Sequence, residues 1–143
     1  MDIIPVTVRC VVAAYQGREE DARADAHAAI RAAAECGATR MADWPMMALG
    51  LLEVSLGNHA EAVSAVQPLL SRRHIVPGTE LMHSWYLPDA AEALIALGRL
   101  DEAAEIIDVL ERNGHRVDRS WMLATAQRCQ AMWLAARGDV AAA

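Results

Sequence analysis

Apolar positions recur along the chain with a helical period and break off at glycine. In "ALGRLDEAAEII", residues 96–107, the run halts at Gly98 and resumes within three residues. The same pattern returns in "SLGNHAEAVSAV" from Ser55, more weakly in "AYQGREEDARAD" from Ala14, and again in "AARGDVAAA" from Ala135. The four glycines, Gly17, Gly57, Gly98 and Gly138, lie 40, 41 and 40 residues apart. A fixed period in this range is the mark of stacked helical repeats. Before the glycines stand "PVTVRCVVAAYQ", "PMMALGLLEVSL", "PDAAEALIALG" and "LATAQRCQAMWLAAR"; after the first three come "EEDARADAHAAIRAAAEC", "HAEAVSAVQPLLSRR" and "LDEAAEIIDVLERNG". Each unit reads as helix A, tight turn, helix B.

The turn has a physical reason. Glycine accepts the left-handed geometry that ends helix A, and acids just after it favour the positive start of helix B. Pro5, Pro45 and Pro88 fall where helix A begins, where a missing amide donor costs nothing. The units predicted are 3–37, 41–73, 80–114 and 119–143, the last cut short, in a single domain spanning 1–143. The longest interruption, "RRHIVPGTELMHSWYL", predicts a linker with a short extra turn around Glu80 to Trp85.

Composition sharpens this into an all-α fold. Alanine makes up about a fifth of the chain, and four Trp, two Tyr and no Phe suit closely approaching helices better than a sheet. Net charge is −6, so the broad basic face of a nucleic-acid binder is not expected. All thirteen basic residues are arginine, which excludes lysine chemistry. Cys10, Cys36 and Cys129 are odd in number and widely spaced, which predicts reduced thiols in a cytoplasmic protein. No apolar stretch reaches the roughly 18 residues of a membrane span, and no export leader is evident.

The unit resembles the tetratricopeptide class, with a small residue inside helix A, the turn glycine, and an alanine five residues beyond it. Seven residues before each glycine stand Cys10, Gly50, Ala91 and Ala131; five after it stand Ala22, Ala62, Ala103 and Ala143. Small side chains there let helices A and B cross closely. The period of about 40 exceeds the 34 of that class, and helix A lacks its usual aromatic marks. With that longer period, "LPDAAEALIALGRLDEAAEIIDVLE" and "MMALGLLEVSLGNHAEAVSAVQPLL" closely resemble the helical-repeat region of large LuxR-type bacterial transcriptional regulators, over nearly the whole chain. The resemblance implies a right-handed superhelix of stacked repeats, and a fragment without the regulator's ATPase and helix-turn-helix modules. A phosphate-binding loop needs a lysine that this chain lacks.

In tetratricopeptide-like folds the A helices line a concave groove, at positions about 13, 10, 6 and 3 residues before the turn glycine. By that count the candidate groove holds Trp44, Met47, Trp85, Glu92, Arg128 and Met132. The resemblance implies a protein partner or a small effector there, with direct nucleic-acid contact left to other modules. The alternative is a structural spacer that self-associates, in which Trp121, Met122, Met132 and Trp133, uncovered at the end of the truncated last unit, seek a second copy and form a homodimer.

Catalytic chemistry finds no carrier in the sequence. No CxxC or HExxH spacing could bring ligands around a metal, no GxSxG elbow presents a nucleophile, and neither enzyme activity nor a cofactor is expected. His27, His59, His74, His83 and His115 are scattered; His74 and His83 flank Pro77-Gly78 and are the one pair suited to a metal test. Ser84 beside His83, with Asp89 downstream, reads as coincidence. Asp101, Glu102 and Glu105 read as complements of a helix start, and the methionines as core fillers.

Overall fold

The computed structural model describes residues 2–73 and 79–143; His74 and the Pro77-Gly78 pair lie outside the described residues. These residues form helices and turns with no strand among them. The chain divides into two compact units, Met1–Ser71 and Arg72–Ala143.

In the first unit, α1 (Ile3–Tyr15) and α2 (Glu19–Glu35) are followed by a 3-10 turn (Thr39–Ala42), α3 (Asp43–Ser55) and α4 (His59–Ser71). Helix α1 packs on α2 and α3, α2 on α3, and α3 on α4. The second unit holds the expected short turn as α5 (Leu81–Ser84), then α6 (Tyr86–Ala96), α7 (Leu100–Arg116) and α8 (Ser120–Ala136). There α6 packs on α7 and α8, and α7 on α8. Each of the three predicted start prolines is the third residue of its helix: Pro5 in α1, Pro45 in α3 and Pro88 in α6. Amides in a helix's first turn have no intrahelical acceptor, so proline's missing N–H is harmless there.

The four turn glycines share one geometry. Gly17, Gly57, Gly98 and Gly138 have φ of 69, 78, 73 and 85°. The amide after each glycine reaches back five residues: Arg18 to Ala13 and Arg99 to Leu94 at 2.9 Å, Asn58 to Glu53 at 2.8 Å, Asp139 to Leu134 at 3.0 Å. The alanine five beyond each glycine then donates to the first carbonyl after it, Ala22 to Arg18 and Ala62 to Asn58 at 2.9 Å, Ala103 to Arg99 at 3.1 Å, Ala143 to Asp139 at 3.2 Å. The first set satisfies carbonyls left without partners where helix A ends, and the second makes, after Gly17, Gly57 and Gly98, the first main-chain bond of helix B. No side chain caps the starts of α2 and α7; acids occupy their first turns instead, Glu19, Glu20 and Asp21 in α2 and Asp101 and Glu102 in α7.

Helix crossings rest on the small residues. Cys10, Ala22, Ala62, Ala91 and Ala103 are at most 1% exposed. Gly50 is buried beneath α4, and a Cβ built on it would stand 2.6 Å from Val66 Cγ1. The fourth copy differs: Ala131 is half-buried and Ala143 exposed. Helix α7 runs through Gly114 to Arg116, and a Cβ on Gly114 would meet Leu123 Cδ2 at 2.8 Å. That glycine therefore serves close packing of α7 on α8. The left-handed residue ending α7 is Asp118, at φ 51°, and the Arg119 amide closes the turn on the Gly114 carbonyl at 2.9 Å.

One buried charge is tied across helices in the first unit. Arg23 of α2 grips Glu53 of α3 through Nε to Oε1 at 2.7 Å and Nη2 to Oε2 at 3.0 Å, and Asn58 Nδ2 donates to Glu53 Oε2 at 2.8 Å. The Arg23 hydrogen bond holds the Glu53 carboxyl below its ordinary range against the opposing effect of burial. Paired and fully bonded, such a charge fixes the helices' register more than it adds stability.

Candidate functional site

Half of the candidate groove converges on one face of the second unit. Glu92 of α6 and Arg128 of α8 pair through Oε2 and Nη1 at 2.9 Å, and the same Nη1 lies 3.8 Å from Met132 Sδ, one turn along α8. Trp85, at the start of α6, and Met132 are half-buried, while Arg128 is exposed. Asp89, named in the sequence only beside Ser84 and His83 and read there as coincidence, stands on α6 between Trp85 and Glu92. It is half-buried and makes no hydrogen bond among the described residues. Burial raises its pKa to about 6, with repulsion from Glu92 adding to the shift and Arg128 opposing it. The Glu92 hydrogen bond in turn raises Arg128. The face thus combines an ion pair, an unbonded acid and two large apolar side chains, an arrangement suited to recognition.

The other candidates fall elsewhere. Met47 is corrected: it is 2% exposed, in the core of the first unit. The position ten before the turn glycine points inward at Thr7, Met47 and Pro88 and outward only at Arg128, so the borrowed spacing fails there. Trp44 is half-buried in the first unit. The position six before the glycine is consistently half-exposed, at Val11, Leu51, Glu92 and Met132. Leu51 was legible from that offset.

The residues expected to be uncovered on α8 are corrected as well. Met122 is 1% exposed. Trp133 is half-buried, its Nε1 donates to the Leu100 carbonyl at 2.9 Å, and Arg137 stacks on its ring at 4.4 Å. Met132 is half-buried, and of the four Trp121 alone is exposed, at 37%.

Nucleophile and metal chemistry find little to build on. Ser84 is fully buried and its hydroxyl donates to the Glu80 carbonyl at 2.7 Å. Burial raises the Cys10 thiol to about 11 and also raises Cys129, whose Sγ lies 3.9 Å from the Pro88 carbonyl. Among the described residues no three His, Cys, Asp or Glu side chains group around a common point. His27, His83 and His115 are exposed and His59 half-buried.

A second surface feature had no signal in the periodicity. Between α7 and α8 runs an open groove of about 420 Å³. Ile107 and Ala126 form its buried floor, with Leu123 and Leu134 half-exposed along it. Asp108 and Glu111 rim it on α7, Gln127 and Gln130 on α8.

Compared with protein-family models, with curated proteins and with solved structures, the chain has no match.

Proposed function

We propose that this chain is a non-catalytic tetratricopeptide-like repeat module, of the kind carried by large LuxR-type bacterial transcriptional regulators, and that it works in the cytoplasm by binding a protein partner or small effector. The reading takes the helix pairs as successive turns of a right-handed superhelix whose A helices form the receiving face. The observation that carries it is the fourfold corner, the same left-handed glycine with the same back-reaching amide at a 40-residue spacing. Repeats of this kind present extended surfaces from a scaffold that needs no chemistry of its own. The binding residues are Trp85, Glu92, Arg128 and Met132, joined by Asp89. An ion pair that can open toward an incoming charge, beside half-buried indole and thioether surface, favours a ligand with both a charged and an apolar part.

Native mass spectrometry of gently purified protein tests this directly. A retained ligand or partner mass is expected, lost on Arg128→Ala or Glu92→Ala while the melting temperature moves little, since the pair is exposed. No retained mass in the unaltered protein, with equal melting curves across the variants, would reject the site.

A second reading is supported by the half-burial of both Trp44 and Trp85. Under it the tryptophans are packing residues and the module is a spacer. Trp85→Ala separates the two: a loss of binding at unchanged stability supports recognition, whereas a stability loss comparable to a core truncation supports the spacer.

A further inference from the structure

We infer that the α6–α8 face of the second unit receives a free α-amino acid with an apolar side chain, its ammonium held by Asp89 and Glu92 and its carboxylate by Arg128. This names the ligand class of the face proposed above and rests on that reading.

Three charges meet there at offsets that carry none in the first unit. Asp89 lies nine residues before its turn glycine, where α1 has Val8 and α3 has Ala48; Glu92 lies six before, against Val11 and Leu51. Arg128 lies ten before Gly138, against Thr7 and Met47. On α8 the offset of Asp89 is filled by Cys129, which like Ala48 is at most 1% exposed. The helix pairs therefore form with small or apolar residues at these offsets, and packing does not require an acid at Asp89. A perturbed acid beside a specific charge partner, where the architecture does not require one, points to a binding role.

The cluster keeps bonding capacity of both signs. Asp89 makes no hydrogen bond among the described residues, and Arg128 acts on it through charge alone. Arg128 reaches both Glu92 Oε2 and Met132 Sδ through Nη1, which leaves Nε and Nη2 uncommitted among the described residues. Glu92 likewise keeps Oε1. A guanidinium binds a carboxylate best through two parallel N–H bonds, and an ammonium has three donors for the oxygens of Asp89 and Glu92. Opposite charges on neighbouring atoms of one small molecule are the head group of an amino acid. An anion alone would meet two carboxylates, and a cation alone would meet the guanidinium. At neutral pH Asp89 is ionised, since its pKa is raised only to about 6.

Apolar surface flanks the charges on both helices. Trp85 stands four residues before Asp89 and Met132 four after Arg128, each one turn away on the same side of its helix. A flat indole and a flexible thioether accommodate aliphatic or aromatic side chains.

NMR of the isotope-labelled chain at pH 7.5 tests this with L-leucine and L-phenylalanine, each titrated to about 10 mM, enough to detect dissociation constants on the order of 1 mM. Saturable shifts centred on the amides of residues 85–92 and 128–132 are expected. Leucinamide, which lacks the carboxylate, and N-acetyl-leucine, which lacks the ammonium, should each bind at least tenfold more weakly than leucine. Asp89→Asn and Arg128→Gln should each weaken leucine binding at least tenfold. Asp89→Asn should do so while melting higher than the unaltered chain, a combination that a purely structural role does not produce. No saturable shift with either amino acid overturns the inference, as does leucinamide or N-acetyl-leucine binding as tightly as leucine, which would assign the face to a cation or an anion. A different mass retained in native mass spectrometry and lost on Arg128→Ala, with neither amino acid bound, would reject the amino acid and leave the receiving face standing.

Discussion

Gly50 of α3 lies directly under Val66 of α4, so close that a methyl group on the glycine would stand 2.6 Å from Val66 Cγ1. Alanine there would gain about 1 kcal/mol of helix propensity but overpack a closed contact at a cost of about 1–3 kcal/mol. Gly50→Ala is therefore expected to destabilise the unaltered chain. Val66→Ala removes the obstruction and by itself costs on the order of 2 kcal/mol through the cavity it leaves. In that background Gly50→Ala should become stabilising. Urea denaturation of the four proteins in a double-mutant cycle reads the change of sign; the same sign in both backgrounds would mean that the two side chains do not share the space.

Asp118 holds a left-handed backbone that side chains resist, and its carboxylate makes no bond in return among the described residues. Asp118→Gly should raise stability by about 0.5–1 kcal/mol, since an aspartate tolerates this conformation better than most residues. Asp118→Val should lower it. Melting curves of the two variants should move in opposite directions.

Asp89 makes stability depend on pH in the unusual direction for an acid. Its folded pKa, raised to about 6 by burial, exceeds the unfolded value, so the native state holds the proton more tightly between about pH 4 and 6. Its contribution is most favourable below that window and is lost as pH rises through it, on the order of 2 kcal/mol by neutral pH. Asp89→Asn should stabilise the protein at pH 7.5 and change little at pH 4. Denaturation midpoints at the two pH values measure the difference; an equal gain at both would remove ionisation as the cause.

The three thiols should separate by reactivity. Cys36 is exposed while Cys10 and Cys129 are fully buried, and burial disfavours the thiolate of the latter two. A disulfide reagent should modify one thiol quickly in the native protein and three after unfolding, and Cys36→Ser should abolish the fast phase. Two fast thiols in the native state would contradict the packing around α1 or α8.

The corners were legible because their geometry leaves few residue choices. Only glycine enters the left-handed turn cheaply, and only small side chains allow a close crossing, so Gly17, Gly57 and Gly98 and the small positions around them announced the helix pairs. Asp118 escaped notice because it performs a glycine's task with another residue. Gly114, which ends the run "ERNG", instead lies inside α7 beneath Leu123. The candidate face was legible in part. Glu92, Arg128 and Met132 meet, but Met47 turns inward, because an offset taken from a 34-residue unit does not fix helix rotation in a 40-residue one. The α7–α8 groove was not legible, since its rim of Asp108, Glu111, Gln127 and Gln130 has the polarity of any solvated surface.

At each of the four glycine corners the closing hydrogen bond runs between main-chain atoms, so the turn itself does not depend on which side chains stand on either flank. The flanking positions can therefore differ in chemistry while the corner geometry stays the same, as Met46 and Leu49 on α3 differ from Gln127 and Gln130 at the matching offsets on α8.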